Sequence, residues 1–238
     1  IGGGASGVMM AAQLLSRIEP GFRVTIIEGR HMLGCGVAYS TTDPHHLLNT
    51  RAQNMSAYPD RPRHFIDWLR DRPGAAEVTD QCFVSRATYG AYMAELLAPW
   101  AGDGADGRLR CVRQTCLHLR ETGTGVAATL DDGQTLTGDM AVLATGHAQP
   151  VPEPGAALTG PWSAQQPVDP DDRIVIVGTG LTMVDCVLSL TTAGHRGQIL
   201  SISRRGLLPR GHAQTASLPV SVTDLPLGAP ISALTAWL

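Results

Sequence analysis

The chain has 238 residues, with no C-x-x-C pair, no apolar run near the roughly 18 residues of a membrane span, and only 16% charged residues. Its net charge of -3 and pI near 6.2 leave no basic footprint for nucleic acid or an anionic membrane. The five cysteines, an odd number without paired spacing, read as reduced thiols in a cytoplasmic protein, and no segment reads as a signal peptide. His45 and His46 stand side by side after Asp43 and Pro44, with no carboxylate spacing to support a metal. They read as a solvated turn.

What the chain does have is 27 glycines and 43% hydrophobic residues, a mixture suited to an α/β enzyme with tight strand-to-helix turns. Gly2, Gly4 and Gly7 fit G-x-G-x-x-G, and Val8, Ala11, Ala12, Leu15 and Ile18 follow at helical spacing until Pro20 and Gly21. The run FRVTIIE (22–28) then predicts a strand that stops on an acid, Glu28. A first glycine for the turn, a second for close approach to a pyrophosphate, a third for helix packing and an acid for ribose hydroxyls define a dinucleotide site. Ile1 reads as the last residue of a first strand.

Further along, residues 34–60 predict a long ordered loop. Asp60 is expected to cap a helix from about Arg61 and Pro62, with Phe65, Ile66, Trp68 and Leu69 inward, and another helix is expected over 88–97. A β-meander spans about 115–138 and returns to a strand at 140–144. The proline-rich stretch 147–172 reads as a connection between residues 1–160 and 161–238.

The second part repeats the opening pattern. A strand at 173–177 leads to Gly178, Thr179 and Gly180, then a helix whose Leu181, Val184, Val187 and Leu188 are expected to face inward. Met183 replaces the third glycine, and the strand over 198–206 ends on Arg204 and Arg205 rather than an acid. Arginine in that place suits a 2′-phosphate, which favours NADPH over NADH, unless the pair merely solvates a strand end.

Three stretches, GVAYSTTDPHHLLNTRAQNMSAYPDRPRHFIDWL, GTGLTMVD and SRRGLLPRGH, resemble the bacterial FAD/NAD(P)-binding proteins. These share their domain type with an FAD-dependent urate hydroxylase and amino-acid N-monooxygenases. Ala144, Thr145 and Gly146 resemble the hinge strand of flavin-containing monooxygenases. The fold implied is α/β, with two Rossmann-like dinucleotide-binding folds of the three-layer ββα type, truncated at both ends. By position, the resemblance places the FAD pyrophosphate on Gly2, Gly4, Ser6 and Gly7, its ribose on Glu28, and the turn past the phosphates at Gly34 and Gly36. Leu48, Asn49, Met55 and Ser56 resemble the loop lying against the flavin, where Asn49 either bonds the ring or stabilises a turn. Arg86 and Tyr89 resemble FAD-contacting residues that precede a helix, against the alternative of a surface arginine and a core tyrosine. Thr145 and Gly146 would adjoin the FAD, while Gly178, Gly180, Leu181, Arg204 and Arg205 would take NADPH.

No late Gly-Asp segment, usual in such proteins, stands between Leu207 and Leu238. Cys35 lacks the nearby second cysteine of flavin disulfide reductases. The expected function is an FAD-dependent oxidoreductase using NAD(P)H, a monooxygenase hydroxylating a small-molecule substrate. The alternatives are an NAD(P)H:acceptor reductase or oxidase, and a non-catalytic nucleotide-binding module. No catalytic side chain is assigned, and the oligomeric state is not legible.

Overall fold

The computed structural model describes residues 1–17, 21–73, 78–102, 105–147, 160–161, 168–213 and 222–237. Ile18, Pro20 and most of the proline-rich connection lie outside them. The fold is mixed α/β. It begins with α1 (Ala5–Leu15) and β1 (Val24–Ile27). Two helices follow, α2 (His64–Arg70) and α3 (Arg86–Glu95), and then β2 (Leu109–Val112), which pairs in parallel with β1. An antiparallel meander comes next, β3 (Cys116–Thr122), β4 (Gly125–Leu130) and β5 (Thr135–Gly138).

Strand β1 sorts its side chains by the two-residue period of extended backbone. Ile26 joins Val8, Ala11, Ala12 and Leu15 of α1 in a core with residues of α2 and α3. Ile27, on the opposite face, packs with Ala128 and Leu130 of β4. Helices, parallel strands and meander therefore form three layers, with β1 in the middle. Residues 140–144 lie beside this sheet without forming a regular strand. Their backbone brackets Ile1, whose terminal amine donates to the Val142 carbonyl and whose own carbonyl accepts from the Ala144 N–H, both at 2.8 Å. On its other side Gly2 donates to Ile27 at 2.9 Å, so Ile1 bridges β1 and 142–144.

Helix starts differ from the sequence expectation. Residues 58–64 take successive turns, Arg61 N–H bonding to Tyr58 and His64 N–H to Arg61, so α2 begins at His64 and Asp60 does not cap it. Phe65, Ile66 and Leu69 are buried, whereas Trp68 is only partly so and donates its indole N–H to Glu95 Oε2 at 2.9 Å. The Ser85 hydroxyl accepts from the Thr88 N–H at 3.1 Å, which starts α3 at Arg86. Arg86 and Tyr89 thus lie within the helix rather than before it.

Tyr92, fully buried in α3, shows how the helices hold the loop between them. Its hydroxyl accepts from the Ala57 N–H at 3.1 Å and meets His64 Nδ1 at 2.7 Å. Tyr92→Phe keeps the ring but strands a buried backbone donor, a loss of about 1–3 kcal/mol. Urea unfolding should show a lower midpoint with an unchanged slope.

In the second part, β6 (Ile174–Val177) and β7 (Ile199–Ile202) pair in parallel across α4 (Leu181–Thr192), a β-α-β unit. A short α5 (Ile231–Trp237) completes the described elements. The inward face expected for α4 is incorrect. Leu181 and Leu188 are exposed, Val184 and Val187 are half-buried, and the one buried residue of the helix is Asp185.

Candidate functional site

The first glycine turn sits where Ile1, β1 and α1 converge. Gly2 has φ +95° and lies against the Ala144 carbonyl, where a side chain would overlap that oxygen. Gly4 occupies the cap position of α1 without any side-chain cap. The N–H groups of Ala5, Ser6 and Gly7 consequently have no acceptor among the described residues. Gly7 packs directly on the Gly2 carbonyl, and a methyl group there would overlap it. This close approach sets α1 against the turn and aims its free amides outward.

Glu28 folds over the same turn. Its Oε2 accepts from the Gly3 N–H at 2.8 Å and its Oε1 from the Arg30 N–H at 2.9 Å. Each oxygen keeps a further lone pair, so the carboxylate is fixed and still able to accept from ligand hydroxyls. The Gly34 N–H donates to the Gly3 carbonyl at 2.7 Å, and Gly36 lies against the Gly4 Cα. Thr145 and Gly146 continue from Ala144 and are exposed. Gly2, Gly4, Ser6, Gly7, Glu28, Gly34, Gly36, Thr145 and Gly146 are therefore gathered around one helix end. Those residues suit a dinucleotide: bare amides for the diphosphate, glycines where side chains would intrude, and an anchored acid for a ribose.

Other sequence-selected residues are distributed differently. Leu48 is buried, and its N–H donates to the Val84 carbonyl at 2.9 Å, while Asn49 beside it is exposed. Met55 is partly buried, and the Ser56 hydroxyl is engaged by its own loop, 3.1 Å from Tyr58 O and 2.7 Å from Arg61 O. Tyr89 is buried edge-on against Tyr39 and Phe65, with burial raising its phenol pKa. Cys35 is also buried, which pushes its thiol up, and all five cysteines are free.

The second glycine turn has the same parts without the acid. Gly178, with φ +119°, donates to the Ile202 carbonyl at 2.8 Å, and Gly180 caps α4 with no side-chain partner. Leu181 opens the helix. The Thr179 hydroxyl lies 2.8 Å from Ser203 Oγ and 2.7 Å from the Leu207 carbonyl. Ser203 in turn accepts from the Gly206 N–H at 3.0 Å, which closes a turn that displays Arg204 and Arg205 beside the glycines, both exposed.

Sequence reasoning missed a buried polar cluster joining the two parts. His46 is buried, contrary to the solvated turn expected, whereas His45 is exposed. Its Nδ1 lies 2.9 Å from Thr41 Oγ1, and its Nε2 lies 2.9 Å from Ser189 Oγ and 3.2 Å from the Asp185 carbonyl. Ser189 donates to Asp43 Oδ2 at 3.0 Å. With the imidazole proton on Nε2, hydroxyl, ring, hydroxyl and carboxylate form a chain in which each donor has an acceptor. The His45 N–H holds Asp43 below its ordinary pKa, assisted by Ser189. Alongside, Arg86 Nη1 meets Asp185 Oδ2 at 2.9 Å, and Arg86 Nε donates to the Leu47 carbonyl at 3.1 Å. Burial raises the Asp185 carboxyl and Arg86 partly offsets it. One signal was present in the sequence: Asp185 and Ser189 stand four apart, one face of a helix otherwise rich in apolar residues.

Among the described residues there is no group of three or more metal-ligating side chains, and no helix is long and apolar enough to cross a membrane. A family model described as FAD-NAD(P)-binding matches residues 1–148. Uncharacterized protein YdhS of Escherichia coli strain K12 is 24% identical over 244 residues, which covers 88% of this chain and 45% of that protein. The chain spans under half the length of that curated relative. Among solved structures, the bacillithiol disulfide reductase Bdr (YpdA) from Bacillus cereus aligns with a TM-score of 0.48 at 17% identity, over 84% of this chain and 56% of that one.

Proposed function

This chain belongs to the FAD-NAD(P)-binding family, and from that premise we propose that it is an FAD-dependent oxidoreductase drawing electrons from NADPH. The observation that carries the reading is Glu28, held by the Gly3 and Arg30 amides over a helix end with unpartnered N–H groups. In this reading residues 1–160 hold FAD and 161–238 hold the nicotinamide nucleotide. Gly178 and Gly180 leave room for its diphosphate, and Arg204 and Arg205, kept beside them by Thr179 and Ser203, receive the 2′-phosphate of NADPH in preference to NADH. Bound flavin supplies the capacity to accept hydride from NADPH and pass two electrons to oxygen or another acceptor. The chain's own part is to fix the two nucleotides and shield the space between them from water. The finer reading is a monooxygenase: one oxygen atom enters a small-molecule substrate and the other leaves as water, two electrons coming from NADPH. It is supported by the likeness of Ala144, Thr145 and Gly146 to the hinge strand of flavin-containing and N-hydroxylating monooxygenases, and no nucleic acid or membrane partner is expected.

The full-length protein should purify yellow and bleach when NADPH is added without oxygen, and NADH should need a higher concentration. A protein that stays colourless with added FAD, or whose colour NADPH leaves unchanged, overturns the oxidoreductase reading in favour of a non-catalytic module. Readmitting oxygen then separates the finer alternatives. Hydrogen peroxide matching the NADPH consumed, with every candidate substrate tested, marks an oxidase and overturns hydroxylation.

A further inference from the structure

We infer that Asp185 is a positioning residue: with Arg86, and together with the Ser189–His46 contact one turn further along, it registers α4 and the second glycine turn against the loop carrying Leu48 and Asn49. Its bearing on electron transfer rests on the proposed function above; the docking itself does not. The helix touches the first part at two points four residues apart. Arg86 grips the Asp185 side chain at 2.9 Å, and His46 meets the Asp185 carbonyl and Ser189 Oγ at 3.2 and 2.9 Å. Residues so spaced lie on one face, about 5–6 Å apart between Cβ atoms. Two anchors fix both the rotation of a helix and the direction of its axis, where one would leave a pivot. No apolar side chain of α4 is fully buried, so these polar contacts are its most enclosed ones.

The bonds are also directional. An apolar contact tolerates sliding, whereas the hydrogen-bonded imidazole does not, and the Arg86–Asp185 ion pair adds charge attraction beside it. Each anchor on the first part is itself held. Arg86 Nε is committed to the Leu47 carbonyl, its backbone N–H donates to the His46 carbonyl at 2.8 Å, and the Leu47 backbone leads directly into Leu48 and Asn49. Asp43 and Thr41 fix the far side of the His46 and Ser189 contacts. Gly180 precedes α4 by one residue, so the register at Asp185 passes along little more than one rigid turn to the second glycine turn. A small misplacement between two reacting groups can cost on the order of 100-fold in rate.

The test compares the full-length holoprotein with Asp185→Ala, Asp185→Asn and Ser189→Ala. Hydrogen–deuterium exchange in Asp185→Ala should rise at residues 41–48 and 181–192 together, with α1 and β4 unchanged. Stopped-flow reduction by NADPH should slow at least tenfold at saturation while the NADPH KM stays within about twofold, because positioning rather than binding is lost. Asp185→Asn, which can still accept from Arg86, should recover part of the rate, and Ser189→Ala should give the same pattern more weakly. Ser189→Ala also decides the matter if the Asp185 variants do not fold. Exchange that rises in α4 alone, or not at all, overturns the docking inference. A raised KM at unchanged maximal rate, or exchange changes with normal kinetics, overturns the positioning role. If the wild type is not reduced by NADPH, the proposed function has failed, and the exchange data alone decide the docking.

Discussion

Gly7→Ala is expected to yield protein with no bound flavin and a markedly lower unfolding temperature. Gly7 lies in the first turn of α1, and a methyl group built there overlaps the Gly2 carbonyl and stands 3.6 Å from the Ala144 Cβ. Neither neighbour can yield cheaply. Gly2 donates to Ile27 at 2.9 Å, and Ala144 donates to Ile1 at 2.8 Å, so both are tied by backbone hydrogen bonds to the edge of β1. The helix must move instead, and it carries Val8, Ala11, Ala12 and Leu15 of the main core. Forcing an extra methyl into such packing costs about 1–3 kcal/mol. Displacing α1 also turns its free Ala5, Ser6 and Gly7 amides away from the position of the diphosphate, for an expected loss of FAD affinity of at least about 100-fold, roughly 2.7 kcal/mol. The flavin-to-protein absorbance ratio and a thermal melt measure the two effects. Gly21→Ala is the control, because a Cβ there meets nothing within 4 Å. A yellow, stable Gly7→Ala protein would show that α1 does not bear on the turn as described.

What could be read in the sequence was what short spacing determines. The glycines, the periodic run of α1, the strand after it and Glu28 lie within one turn-helix-strand segment, where each feature constrains the next. The meander was legible for the same reason, its strands joined by tight turns. The inward face of α4 was not. Apolar residues were assigned to the interior because they are apolar, but the surface α4 docks against is built of His46, Arg86, Asp43 and Thr41, so Asp185 and Ser189 turn inward. His46 was misread for a related cause. Two adjacent histidines look alike in sequence, and only a helix from 139 residues further along buries one and leaves the other in water. Arg86 reads in the sequence as an FAD contact or a surface arginine, and the structure ties it to Asp185, a partner no local pattern could name.

Glu28→Gln is expected to weaken FAD binding by about 10–100-fold, a larger effect than its near-isosteric shape suggests. The carboxylate receives one backbone N–H on each oxygen, from Gly3 and from Arg30. A carboxamide has one oxygen and one NH2, so whichever way it turns, one of those N–H groups faces another donor. Gly3 is buried and takes the amide oxygen, which leaves the NH2 against the exposed Arg30 N–H and puts a donor where the carboxylate offered an acceptor. If the glutamine swings away to escape that clash, the ribose loses its acceptor as well, and hydrogen bonds to a charged group contribute about 1.5–3 kcal/mol. The same residue thus serves the turn and the ligand, and the two roles have different signatures. FMN has no adenosine and therefore no ribose, so a ribose role predicts that Glu28→Gln lowers the affinity for FAD while leaving the weaker affinity for FMN within about twofold. Fluorescence titration of the flavin-free protein with each ligand measures this. An equal loss for both flavins would assign Glu28 to the shape of the turn alone and remove the sugar from its role.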